Sequence, residues 1–243
     1  IKYLKKLTYK ILQDNSDFIK FQIFKNKDLC HPSSKLYKGL KKIELSQKIW
    51  RTIIKKSLKK KGVILEPFDE ESYQFCKIFK KKALIKISAS EHDNTEMISD
   101  ALKNFKKVFI NISGFEIKKI KQMTSNFKKY KKKLILMYGF QSFPSKAIDL
   151  RLNIISSLKK LKLKTGYADH SLTKDKILTY LMTSKALDYG AEYIEKHITL
   201  SRAQKNPDFV SSFEPKDFKD YVNFFKKDYI SKFNNKISLN EKK

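Results

Sequence analysis

Short apolar runs rich in β-branched residues alternate with longer lysine-rich segments of helical periodicity, and this alternation constrains the chain more than any other feature. Runs that are apolar on both faces belong to parallel strands covered on both sides, and parallel neighbours need a crossover between them. Strands are expected at Asp17–Phe24, Gly62–Asp69, Leu84–Ser90, Val108–Gly114, Lys133–Gly139, Leu163–His170 and Ala191–Leu200. Amphipathic helices lie between them, such as Ser46–Lys60 with Ile49, Trp50, Ile53, Ile54 and Leu58 on one side, and Thr173–Tyr189 with Ile177, Leu178, Leu181 and Leu187. Seven βα units in succession predict an α/β fold of the (β/α)₈ TIM-barrel type, with a doubly wound sheet as the weaker alternative. The count is one strand short. Because Leu4–Leu12 reads as a helix leading directly into the first strand, the barrel is expected to be incomplete at its N-terminus. Phe218–Lys227 reads as the last helix, giving a barrel domain over 1–229 and a polar tail or linker stub over 230–243.

A chain of 243 residues, 41% hydrophobic and 13% aromatic, can bury a sizeable core, which excludes a disordered protein. No segment approaches the roughly 18 consecutive apolar residues of a membrane span. The start, Ile1-Lys2-Tyr3-Leu4-Lys5-Lys6, lacks the pattern of a signal peptide, so a cytoplasmic location without membrane contact is expected. Cys30 and Cys76 are too few for a disulfide framework or a cysteine metal site.

The formal charge of +29 raises the question of a nucleic-acid partner. The excess is nearly all lysine, with Arg51, Arg151 and Arg202 as the arginines, whereas base and bidentate phosphate recognition favour arginine. Runs such as Lys59-Lys60-Lys61 and Lys131-Lys132-Lys133 fall at helix ends just before strands, where cations suit the helix dipole. The charge is therefore read as solvated surface, and no nucleic-acid partner is expected. Six glycines without a Gly-rich loop give nucleotide chemistry no support.

In a barrel, side chains at the C-terminal ends of strands converge on one mouth, so polar residues there read as site residues. Lys20 stands in the apolar run Phe18-Ile19-Lys20-Phe21, followed by Gln22, and Lys86 opens Lys86-Ile87-Ser88-Ala89-Ser90-Glu91. A buried ammonium must be paired or face a solvated cavity. The two lysines form either an anion site or a barrel-filling ion pair with Glu66, Glu91 or Glu195. His170 ends Gly166-Tyr167-Ala168-Asp169-His170, and His197 ends Glu195-Lys196-His197 on the next strand. Neutral imidazole is the commonest protein ligand for a divalent transition metal, so the pair is a candidate metal site, the alternative being two core histidines. Asp208 lies in the loop Asn206–Pro215, where it either reaches over the mouth or stabilises a turn. Ser212 or Glu214 is expected to start the final helix, with Pro215 in its first turn.

With these residues in place the chain resembles the sialic acid synthase family, barrels that condense phosphoenolpyruvate with an amino-sugar aldehyde. The resemblance runs in order through Lys20-Phe21-Gln22, Pro67-Phe68-Asp69, Lys86 to Glu91, Ser113-Gly114, Gly139-Phe140-Gln141-Ser142-Phe143-Pro144, Gly166 to His170, Glu195-Lys196-His197 and Pro207-Asp208. It implies a divalent metal, Mn²⁺ or alternatively Mg²⁺, on His170 and His197. It also implies catalytic roles for Glu91, His170 and His197, and substrate contacts from Lys20, Gln22, Lys86, Ser90, Gln141, Asp169 and Asp208. The substrates implied are phosphoenolpyruvate and an N-acylated amino sugar, and the products a nonulosonic acid and phosphate.

The departures are specific. Glu66 stands where the family commonly has a phosphate-binding hydroxyl, Ala89 and Ala168 replace serines, and Arg151 replaces an asparagine. Ser88, Ser90, Gln141 and Arg151 are the candidates to compensate. The family's usual first strand and C-terminal antifreeze-like domain are not in these residues, so the chain is expected to be a truncated form, with a homodimer expected of a full-length parent. The competing expectation is a catalytically impaired sugar-binding barrel.

Overall fold

The computed structural model describes residues 1–229. In chain order its helices and strands are α1 (Lys2–Ile11), β1 (Phe18–Ile23), α2 (Asn26–Leu29), α3 (Tyr37–Ile43), α4 (Gln47–Ser57), β2 (Gly62–Pro67), α5 (Glu70–Lys77), β3 (Leu84–Ile87), α6 (Thr95–Asn104) and β4 (Val108–Asn111). They continue with α7 (Ile117–Asn126), β5 (Leu134–Tyr138), α8 (Asn153–Lys160), β6 (Lys164–Asp169), α9 (Lys176–Asp188), β7 (Tyr193–Ile198), β8 (Ser212–Phe213) and α10 (Pro215–Asn223). The strands pair in parallel and in sequence order, β1 to β8, as a TIM-barrel-like α/β fold. The region 230–243, expected to be a tail, lies outside the described residues.

All seven expected strands are present, each shorter by a few residues at one or both ends. The eighth, β8, is a correction: Ser212-Phe213, expected as loop or helix start, pairs with His197-Ile198. Two residues are too short for any hydrophobic period to register. Glu214 takes the N-cap position of α10 and Pro215 its first turn.

Alternation along each strand separates two apolar layers. On β1, Ile19, Phe21 and Ile23 are buried against the helices, while Lys20 and Gln22 face the barrel interior. The interior floor is a compact cluster of Ile64, Phe109, Ile135, Met137 and Ala168, with Leu84 and Tyr193 against it. Outside the sheet, residues such as Leu65, Ile85, Ile110 and Leu136 pack with Ile54, Ile98, Leu102, Ile120 and Ile155 from the helices. Neighbouring strands leave no room for side chains at two glycines: a Cβ on Gly166 would sit 2.7 Å from the Tyr193 carbonyl oxygen, and one on Gly139 2.5 Å from that of Ala168.

Helix α9 departs from expectation. Ile177 and Leu181, read as its buried face, are 75% and 57% exposed, and Thr179, Thr183 and Ala186 are buried instead. The threonines are accepted there because their hydroxyls are partnered, Thr183 with Tyr221 Oη at 2.6 Å and Thr179 with Ser171 Oγ at 2.9 Å.

Among the described residues β1 pairs with β2 and β8 with β7, and no ladder joins β8 to β1. A cavity of about 810 Å³ opens there, lined by Phe18 and Lys20 of β1, Tyr193 and Glu195 of β7, and Leu7 and Val222 of the covering helices. Helix α1 is tied over this seam: Tyr3 Oη hydrogen-bonds Thr199 Oγ1 at 2.7 Å and accepts from the Leu200 N–H at 2.9 Å.

Candidate active site

Above the apolar floor four charged side chains meet. Lys20 projects inward from β1, Glu66 from β2, Lys86 from β3 and Glu195 from β7. Lys86 Nζ lies 2.7 Å from Glu195 Oε1 and 3.2 Å from Glu66 Oε1. Lys20 Nζ donates to the same Glu195 oxygen at 2.8 Å and to Glu66 Oε2. Burial opposes the charge on Lys20, but the Glu195 and Glu66 carboxylates outweigh it and hold its pKa above the ordinary lysine value. Burial likewise works against the Glu195 carboxylate, and Lys20 and Lys86 overcome it, pulling its pKa well below the usual range. Of the three expected counter-ions, Glu66 and Glu195 are used, whereas Glu91 accepts from Asn94 Nδ2 at 3.1 Å in the loop after β3.

The two histidines come together at the ends of β6 and β7, with ring centroids 5.3 Å apart. His170 Nδ1 is 2.8 Å from the Phe140 carbonyl oxygen, so Nδ1 is the donor and Nε2 is left with its lone pair free. Burial lowers the pKa of both imidazoles, and at His197 the neighbouring Lys20 and His170 add to it. Both rings are thereby held neutral at neutral pH, the form that ligates metals. His197 Nδ1 lies 3.9 Å from Asp208 Oδ2, so Asp208 does reach the mouth from the loop after β7. Burial raises the Asp208 pKa, with Lys20 acting in the opposite direction.

Two neutral imidazoles, one oriented by a carbonyl on its far nitrogen, fit a divalent cation. No group of three or more His, Cys, Asp or Glu side chains gathers as a metal cage among the described residues.

Phe143 is the part of the site that sequence reasoning passed over. Its ring lies 4.4 Å from that of His170 and 5.7 Å from that of His197, walling both imidazoles from the β5 side. The only signal was its place in the Phe140-Gln141-Ser142-Phe143-Pro144 loop.

Other expected site residues lie further from this centre. Gln22 is exposed on the inner side of β1 and lines the seam cavity. Ser90 Oγ is 2.7 Å from Ser88 Oγ, and Gln141 Nε2 donates to the Gly139 carbonyl at 3.2 Å. Ala168 belongs to the floor, and the exposed Arg151 uses its backbone N–H to reach Tyr138 Oη, so neither supplies the altered polar group.

Asp169, expected to contact substrate, is engaged within the protein. The alternation that turns Ala168 inward turns Asp169 outward, where it is fully buried and engaged by Lys196 Nζ at 2.8 Å, the Ser171 N–H at 2.8 Å and Tyr167 Oη at 3.2 Å. Its carboxylate holds β6, β7 and the following turn together behind His170 and His197.

Known proteins agree with this architecture. An uncharacterized protein of Methanocaldococcus jannaschii is 39% identical over 83 residues, 34% of this chain and 23% of that protein. The N,N'-diacetyllegionaminic acid synthase of Legionella pneumophila is 30% identical over 82 residues, 33% of this chain and 21% of the synthase. These matches span less than a quarter of either relative's length. The N-acetylneuraminic acid synthetase of Leptospira borgpetersenii, whose crystal structure contains citrate, superposes with a TM-score of 0.81 at 25% identity, covering 91% of this chain and 76% of that one. The NeuB family model matches residues 9–232, and the chain belongs to the NeuB family.

Proposed function

We propose that this barrel condenses phosphoenolpyruvate with the open-chain aldehyde of an N-acylated amino sugar, giving a sialic-type nonulosonic acid and phosphate. The observation that carries the reading is the placement of two neutral, partly oriented imidazoles beside two inward lysines at one end of a parallel barrel.

In the overall reaction carbon 3 of phosphoenolpyruvate bonds to the aldehyde carbon, the aldehyde oxygen takes a proton, water adds at carbon 2, and phosphate leaves by C–O cleavage. Lys20 and Lys86 supply compact ammonium charge for the phosphate and carboxylate groups. A divalent cation on His170 and His197, Mn²⁺ or Mg²⁺, would polarise the aldehyde oxygen as a Lewis acid. Phe143 shields the imidazoles from water on one side, and Asp208 and Glu91, on the loops after β7 and β3, are the candidate sugar contacts. The Leptospira and Legionella relatives support a nonulosonic product. A second reading, a barrel that binds sugar without turnover, is favoured by one observation: Glu66 already occupies both lysines.

The test is sugar-dependent phosphate release from phosphoenolpyruvate with Mn²⁺ over a panel of N-acylated hexosamines, for wild type and His170→Ala. Release with one sugar, lost in the variant, is the expected result. No release with any sugar from chain shown to be folded would overturn the synthase reading in favour of the second.

A further inference from the structure

The four-residue layer above the floor is neutral by formal charge, two ammonium groups against two carboxylates, and every short contact in it is between opposite charges. The two carboxylates are differently placed. Glu195 uses one oxygen, Oε1, for both lysines, whereas Glu66 spreads its two oxygens over them, Oε1 towards Lys86 and Oε2 towards Lys20. Glu66 thus spans the gap between the ammonium groups in the manner of a bidentate oxyanion. Its side chain and that of Lys86 are each 4% exposed, so water does little to screen a second anion brought beside it.

We infer that Glu66 is a built-in occupant of the anion seat between Lys20 and Lys86, and that a phosphate- or carboxylate-bearing ligand binds there only by displacing it. The inference rests on the reading of this layer as the anion site of the proposed reaction. It makes Glu66 the residue that sets ligand class: with the carboxylate in place a dianion meets like charge at short range, while removing that charge leaves Lys20 and Lys86 still paired to Glu195 and with net positive charge to offer. The lysines are not orphaned by the change, so the layer keeps a partner for each buried ammonium.

Calorimetric titration with inorganic phosphate and with phosphoenolpyruvate, without sugar or metal, tests this on wild type, Glu66→Gln and Glu66→Thr. Both anions are expected to bind the variants at least about tenfold more tightly than wild type, the scale of one lost like-charge repulsion. Equal or weaker binding by variants that melt cooperatively, or no binding by any of the three proteins, would overturn the inference. A structure of wild type with phosphoenolpyruvate gives an answer that needs no variant. Glu66 moved off both lysines supports displacement, and a bound anion with both Glu66 contacts intact refutes it. The outcomes separate from those of the proposed function. Tighter anion binding without phosphate release on any sugar upholds Glu66 and removes the synthase, whereas release by wild type with unchanged anion affinity in the variants does the reverse.

Discussion

Lys196 and Asp169 form a 2.8 Å ion pair between side chains that are 1% and 0% exposed, on the outward faces of neighbouring strands in register. Burial lowers the Lys196 pKa and the Asp169 carboxylate opposes the shift. Removing either partner alone strands a buried charge. Asp169→Asn and Lys196→Met are each expected to lose about 3–5 kcal/mol of unfolding free energy, and the double variant Asp169→Asn/Lys196→Met less than the sum. Urea unfolding followed by circular dichroism decides it, and additive losses would show that the pair is not coupled.

The metal role proposed for His170 and His197 predicts that removing either imidazole removes cation binding. His170→Ala and His197→Ala should each abolish Mn²⁺ binding measured by electron paramagnetic resonance, in protein that still unfolds cooperatively, though at a lower temperature for the buried His170. Retained Mn²⁺ affinity in either variant would remove that histidine from the donor pair.

Gly139→Ala and Gly166→Ala should destabilise through contact with backbone that has nowhere to move. The Ala168 and Tyr193 carbonyls lie in ladders between β5, β6 and β7. A loss of about 1–3 kcal/mol or more is expected for each in thermal or urea unfolding. Alanine at the exposed Gly39, whose Cβ would meet nothing within 4 Å, is the control for loss of glycine itself.

Cys76 is fully buried, and burial pushes its thiol above the ordinary value of 9.0. In the folded protein it should resist a thiol reagent at pH 8 and react on unfolding, read by mass spectrometry of the labelled peptide. Because the folded pKa is raised, the stability this thiol contributes is present below the ordinary value and falls as pH climbs past it, where the unfolded chain loses a proton the folded chain keeps. Cys76→Ala should flatten that part of the alkaline stability curve.

Strands such as β5, Leu134–Tyr138, were legible because they are apolar on both faces, a pattern unlike the one-sided helices between them. Strand β8 carried no such pattern, and α9 carried an ambiguous one, with apolar residues on two sides and hydroxyls on the face that is buried. Lys20 and Lys86 announced themselves as charges inside apolar runs. Their partners did not, since Lys20 and Glu195 are 175 positions apart and meet because the sheet curls until β1 faces β7 across the open seam. Glu91, adjacent in sequence to the Lys86 strand, was as plausible a counter-ion until the loop geometry was known. Asp169 shows the limit of reading strand ends: one step of alternation separates a residue that faces the mouth from one that anchors the wall behind it.

The open seam between β1 and β8 runs past only one side of the charged layer. Lys20 and Glu195 are 15% and 17% exposed along it, while Lys86 and Glu66, across the interior, are 4% exposed. The layer is therefore more open to solvent at Lys20 and Glu195 than at Lys86 and Glu66. Added salt should loosen Lys20 from Glu195 well before it is felt at Lys86 and Glu66, so ionic strength acts on this barrel as a one-sided lever.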